Sequence, residues 1–130
     1  MEGANQTFNI LIIDDEPMIL EIAGEILTYL GHKVWMAESG NQGIKIFSEK
    51  HHELHLVIVD LLMPDMNGKE CFEQMQKIDD HVPIVLSTGI SDVENKEGFK
   101  HLNVFGFLEK PYTLVQLRDI LQKLESVNTT

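Results

Sequence analysis

Five residues of this chain have types that can do chemistry together: Asp14, Asp15, Asp60, Thr88 and Lys110. Each stands where an apolar run stops. Ile10 to Ile13 ends at Asp14-Asp15, Leu56 to Val59 at Asp60, Ile84 to Leu86 at Ser87-Thr88, and Phe105 to Leu108 at Glu109-Lys110. Carboxylates crowded into one crevice repel each other, and burial drives them toward protonation. A hard divalent cation resolves this: magnesium takes oxygen ligands and is typically held by one or two carboxylates plus a phosphate. Lys110 adds a compact positive charge suited to a phosphate oxygen, and Thr88 a hydroxyl for another. A carboxylate can also be the nucleophile and become an aspartyl phosphate. Asp60 is the natural acceptor, with Asp14 and Asp15 holding the metal that neutralises charge as the phosphoryl group moves.

Such a cluster needs elements that deliver all four strand ends to one place. Leu56-Val57-Ile58-Val59 is a continuous apolar run, the pattern of a strand buried on both faces. Pro64, Asn67 and Gly68 then supply turn chemistry. Pro17 suits the first turn of a helix whose apolar positions are Ile19, Ile22, Ala23, Ile26, Leu27 and Leu30, with Gly31 ending it. Lys33 to Ala37 reads as a second strand. Ser39 with Gln42 opens a second helix buried through Ile44 and Phe47. Asn67 and Glu70 open a third, with Cys71, Phe72, Met75 and Ile78 inward. A short fourth helix is expected over Ser91 to Phe99. Thr113 with Gln116 opens the fifth, lined by Leu114, Leu117, Ile120, Leu121 and Leu124. Five strands alternating with five helices predict a parallel sheet covered on both faces, a doubly wound α/β domain. Ligands of such sheets bind outside the carboxyl ends of the strands, where the five residues converge.

Composition sets outer limits. With 130 residues, 43% apolar and 24% charged, the chain reads as one soluble globular domain over 8–125, with a disordered tail over 1–7 and a short tail over 126–130. Ten basic against twenty-one acidic residues, net −11, argue against nucleic acid and against an anionic membrane. One cysteine, Cys71, rules out a disulfide framework within the chain and fits a reducing compartment. Neither a secretory signal nor an apolar run near the roughly 20 residues of a bilayer span is visible, so a cytoplasmic location is expected.

The motifs IIDDEP, VDLLMPDMNG, LSTG and FLEKPY, in this order and spacing, closely resemble the receiver domain of two-component response regulators, over roughly Asn9 to Leu124. The resemblance implies a flavodoxin-like sheet of order 2-1-3-4-5 and a phosphorylation-dependent signalling switch. Asp60 would be the phospho-acceptor. Asp15 would ligate Mg2+ directly, Asp14 largely through water, and the backbone carbonyl of Leu62 would be a further ligand, with Mn2+ able to substitute. Thr88 and Lys110 would contact the phosphoryl oxygens, and the Lys110–Pro111 bond would be cis. Thr88 and Phe107 would form the switch that reshapes the face of the fourth helix, fifth strand and fifth helix, a face that also implies homodimers. Leu62 and Ile90 occupy the positions that tune phosphoryl lifetime; both are apolar, which predicts slow self-dephosphorylation. The implied partner is a sensor histidine kinase or histidine phosphotransfer protein. The isolated domain would catalyse only its own phosphorylation and dephosphorylation. The ending FLEKPYTLVQLRDILQKL resembles receivers at the C-terminus of hybrid histidine kinases, in which case the full-length protein would be a kinase.

Blander readings stand beside these. Alone, Asp14-Asp15-Glu16 is an acid cluster at a helix N-terminus, Asp60 a turn aspartate and Lys110 a surface lysine. The joint placement favours the phosphoryl site. His51, His52 and His55 sit in a polar linker without cysteines and read as no zinc site. Cys71 reads as a small buried hydrophobe, Met63 and Met75 as packing, and Trp35 as packed beneath a helix. A small-molecule phosphatase would need a second acid two residues after the nucleophile, where Leu62 stands. A phosphorylation-dead interaction domain is at odds with the intact set of five, and no Gly-rich loop follows the first strand to hold a nucleotide.

Overall fold

The chain is seen here as a computed structural model that describes residues 6–89 and 103–128. Ile90 and the helix expected over Ser91 to Phe99 lie outside the described residues, as do residues 1–5 of the expected N-terminal tail. The described chain runs β1 (Asn9–Ile13), α1 (Pro17–Tyr29), β2 (Lys33–Ala37), α2 (Gly40–Lys50), β3 (Leu56–Asp60), α3 (Gly68–Ile78), β4 (Ile84–Thr88), β5 (Gly106–Glu109) and α4 (Leu114–Asn128). The strands form one sheet in the order β2-β1-β3-β4-β5, every neighbouring pair parallel. This is the doubly wound, flavodoxin-like order the sequence implied.

Side chains alternate across a strand, and that alternation builds two cores. Leu11, Ile13, Val57, Val59, Ile84 and Leu86 face Phe47 of α2 and Cys71, Phe72 and Met75 of α3. Ile10, Ile12, Leu56, Ile58 and Val85 face Leu20, Ala23 and Leu27 of α1 and Leu117, Leu121 and Leu124 of α4. β3 and β4 are buried along their whole length, as apolar runs covered on both faces require.

The helix ends follow their local chemistry. Ser39 Oγ accepts the Gln42 N–H at 3.1 Å, while the Gln42 side chain reaches back to the Glu38 N–H at 2.8 Å, one residue before the usual partner. Asn67 Oδ1 accepts the Glu70 N–H at 2.8 Å. Thr113 and Gln116 form a reciprocal capping box, both bonds 3.1 Å. Gly31 follows α1 with φ +96°, the left-handed turn that glycine takes without strain.

The buried stripes differ from the expected ones at three helices. In α1 the buried residues are Leu20, Ala23, Gly24 and Leu27, while Ile22 is 37% exposed. The helix is rolled toward β2, where a Cβ on Gly24 would lie 3.3 Å from the Met36 sulfur. Ile78 in the last turn of α3 and Leu114 in the first turn of α4 are also exposed, because terminal turns overhang the sheet. α4 runs on to Asn128, past the end of its apolar pattern at Leu124. Trp35 is half-buried against the α2–α3 core, with Lys50 Nζ 5.4 Å above its ring.

Candidate functional site

Parallel strands put their C-terminal ends on one edge, and this edge carries the chemistry. Asp14 follows β1 directly and is held by its own amide, which donates to the Ala37 carbonyl of β2 at 3.0 Å. Its Oδ1 accepts the Glu16 N–H at 2.9 Å, an Asx turn that leads into α1. Asp60 is the last residue of β3, paired in register with Ser87 of β4. Lys110 follows β5, and its amide donates to the Thr88 carbonyl at 2.6 Å. The Lys110–Pro111 peptide is cis, as the resemblance implied. Beyond it the buried Tyr112 hydroxyl donates to Ser87 Oγ, fastening the turn to β4.

The loop after β3 is built to close tolerance. The Gly68 N–H donates to the Leu61 carbonyl at 2.7 Å. A Cβ on Gly68 would stand 2.8 Å from both the Asp60 carbonyl oxygen and the Leu61 Cα, neither of which can swing aside. Gly68→Ala is therefore expected to cost about 1–3 kcal/mol through overpacking. A urea denaturation midpoint equal to that of the native chain would refute this close approach.

Asp14, Asp15 and Asp60 each offer a carboxylate oxygen, all within 4.8 Å of one another. Asp14 and Asp60 are buried, Asp15 half-buried. Lys110 Nζ lies 3.2 Å from Asp60 Oδ1, 3.3 Å from Asp14 Oδ2 and 3.1 Å from Glu16 Oε2. Burial, then the charge of Asp14, pushes Asp60 up to about 7, against Lys110 and the Leu62 N–H that pull it down. Burial likewise raises Asp14, opposed by the Glu16 amide and Lys110. For Lys110, burial works against the charge, but Asp14, Asp60 and Glu16 outweigh it and raise its pKa. One cation thus serves several acids, which leaves a surplus of negative charge and oxygen ligands. That donor set fits a second, hard cation: oxygen-only and short of positive charge.

Thr88 is buried, but its hydroxyl is turned toward β5, 3.5 Å from the Leu108 carbonyl. Thr88 and Phe107 line one cavity of about 360 Å³ with Gln116, Asp119 and Ile120. Leu62 sits 48% exposed on the rim, two residues past Asp60.

The matching family model, the response regulator receiver domain, covers residues 10–122. The chain belongs to this family. The acidic pocket of Asp14, Asp15 and Asp60 is consistent with the phospho-acceptor site of a receiver of two-component signalling. Among curated relatives it is 33% identical over 103 residues to the transcriptional regulatory protein GlrR of Escherichia coli, covering 79% of this chain and 23% of that one. It is 26% identical over 114 residues to sporulation initiation phosphotransferase F of Bacillus subtilis, covering 88% and 90%. The chain thus spans about a quarter of the first relative and nearly all of the second. Among solved structures, a receiver domain protein from Clostridium thermocellum superposes with TM-score 0.86 at 30% identity, over 94% and 97% of the two chains. A CheX–CheY–BeF3–Mg2+ complex from Borrelia burgdorferi gives 0.82 at 19% identity, over 90% and 88%, which shows the shared fold alone.

Three contributors were not singled out from the sequence. Glu16 joins the Lys110 cluster; it was visible only as the third acid of a run. Tyr112 anchors the turn after Lys110. Asp65 accepts the Gly40 and Asn41 N–H groups at 3.1 and 2.9 Å, tying the loop after Asp60 to the start of α2. The Cys71 thiol is buried, and burial pushes it up to about 12, so it behaves as the small hydrophobe expected of it.

Proposed function

We propose that Asp60 accepts a phosphoryl group from a phosphohistidine and that this charge, through Thr88 and Phe107, switches the receiver between two surfaces. The carrying observation is Asp60 itself, almost fully buried, 3.2 Å from Lys110 and within ligand reach of Asp14 and Asp15. Asp14, Asp15, Asp60 and the Leu62 carbonyl would hold Mg2+, or Mn2+ in its place; the ion when bound neutralises charge on the phosphoryl oxygens. An Asp60 oxygen attacks phosphorus, the N–P bond of the donor breaks, and the imidazole leaves and takes a proton. Lys110 stabilises the charge gathering on the transferred group, and Thr88 turns from Leu108 to another of its oxygens. Phe107 then moves into the cavity that it shares with Thr88, reshaping the surface around β5 that partners, or a second copy, read.

The donor would be a sensor histidine kinase or a histidine phosphotransfer protein, in the cytoplasm. Among the described residues no helix is long and apolar enough to cross a membrane. The domain would catalyse only its own phosphorylation and dephosphorylation. Origin within a hybrid kinase rests on the FLEKPYTLVQLRDILQKL stretch and is tested by the reading frame that encodes it. The test of the chemistry is incubation with a small phosphodonor and magnesium, read by intact mass. One phosphoryl adduct that fails to form in chelator is expected; no adduct would refute the assignment. With Leu62 apolar on the rim and Ile90 apolar beyond Thr88, attacking water is poorly positioned, and the adduct should persist for minutes or longer. A half-life of seconds would show that these residues do not set the lifetime.

A further inference from the structure

The opposite edge of the sheet holds a second cluster with different donors. His51 caps the end of α2 and Asp79 the end of α3, and their side chains meet, Nδ1 to Oδ2, at 2.7 Å. The His52 ring lies beside that of His51, centroids 3.9 Å apart. Ligand atoms of His51, His52 and Asp79 all fall within 4.8 Å of one another. On the other side of Asp79, His81 Nδ1 lies 3.4 Å from Asp79 Oδ1 and 3.2 Å from Asp80 Oδ1. His51, His52, Asp79 and His81 line one open groove of about 380 Å³. His55, the third histidine of the sequence run, is not part of the cluster. Its Nδ1 accepts the Asn9 N–H at 2.9 Å, which fixes that nitrogen on the start of β1.

We propose that His51, His52 and Asp79 bind a borderline divalent transition ion of the zinc class, and that the exposed His81, which stands outside their group on the other oxygen of Asp79, swings in as the fourth donor. Imidazole nitrogens with one carboxylate suit zinc, whereas magnesium wants oxygen alone. The two edges of the sheet therefore sort cations by chemistry, hard at Asp60 and borderline at Asp79. The His51–Asp79 pair must open only slightly, since two ligands of a tetrahedral zinc stand roughly 3.3 Å apart. The Asp79 carboxylate is held in place as a ligand, with His51 Nδ1 2.7 Å from Oδ2 and the His81 N–H donating to Oδ1 at 2.9 Å. A bound ion would tie the C-terminal ends of α2 and α3 together, on the layer that also carries the loop after Asp60.

The experiment is calorimetric titration of the untagged chain with zinc in excess magnesium, paired with thermal melting. One zinc per chain and a raised melting midpoint are expected. His52→Ala with His81→Ala, both exposed and so harmless to folding, should weaken binding by roughly tenfold or more and abolish the midpoint shift. Asp60→Asn and Asp15→Asn should bind zinc as the native chain does, which separates this site from the phosphoryl pocket and from its reading. No zinc uptake by the native chain, uptake indifferent to the histidine substitutions, or uptake lost in Asp15→Asn would each overturn the proposal.

Discussion

Asp60→Asn abolishes the phosphoryl adduct and, in the metal-free chain, raises stability by about 2–3 kcal/mol above about pH 8. The first half follows from losing the nucleophile. The second follows from the cost of keeping a charge where Asp60 stands, beside Asp14 and out of water. Its pKa rises from 3.8 to about 7 in the folded chain, so the native state holds a proton that the unfolded chain has already released. An acid raised in this way makes stability fall as pH climbs through that window, from about 4 to about 7, and level off above it. A rise of that size sets a ceiling of about 4 kcal/mol. Polar contacts that Asn makes less well bring the expected gain below that ceiling. Lys110 does not blur the reading. A lysine whose folded pKa is raised contributes stability that is fully present below its unfolded value, near 10.4, and is lost only above it. Urea denaturation in chelator across this range, native against variant, checks the difference. Equal stabilities above about pH 8, or a gain that persists below about pH 4, would refute the charge burial at Asp60.

The same residues show how far sequence reading reaches. Strands were legible because burial on both faces writes itself as unbroken apolar runs, and β3 and β4 are buried at every position. The site was legible because each of its main residues ends such a run, and the topology of parallel strands does the rest. What was not legible depends on contacts across the chain. Asp65 reaches α2 from 24 and 25 residues away, and no local pattern announces an acid that caps a distant helix. The partners of the histidine run were hidden for the same reason: His51 turns to Asp79, 28 residues on, while His55 turns to β1, 46 residues back. The roll of α1 was hidden too: Ala23 and Leu27 are buried and Ile19 and Ile26 pack against the core as their spacing implies, but Leu20 and Gly24 are buried while Ile22 is exposed.

Lys110→Met is expected to separate the two duties of the lysine. In the native chain one ammonium faces Asp14 and Asp60, both almost inaccessible to water, and the more exposed Glu16. Methionine keeps the apolar stem and removes the charge, which leaves two buried acids uncompensated. Breaking a buried pair from one side costs about 3–5 kcal/mol, and the acids can shed part of that by taking protons. A loss of about 3 kcal/mol above about pH 8 is therefore expected, shrinking as pH falls toward about 5. Millimolar magnesium should restore most of it, because the ion offers the charge that the lysine supplied. Magnesium should bind more tightly than to the native chain, by roughly tenfold, since a cation no longer repels it. Phosphorylation by a small donor should nevertheless slow by about 10²-fold, the usual cost of losing one donor to the developing charge. The double variant Asp60→Asn/Lys110→Met should be more stable than the gain and the loss of its single changes add up to, by about 2 kcal/mol, as coupled partners are. Tighter magnesium with slower phosphorylation is the signature of a lysine that neutralises the resting site and also serves the transfer. Weaker magnesium, or an unchanged phosphorylation rate, would mean that Lys110 holds the loop in place and does neither.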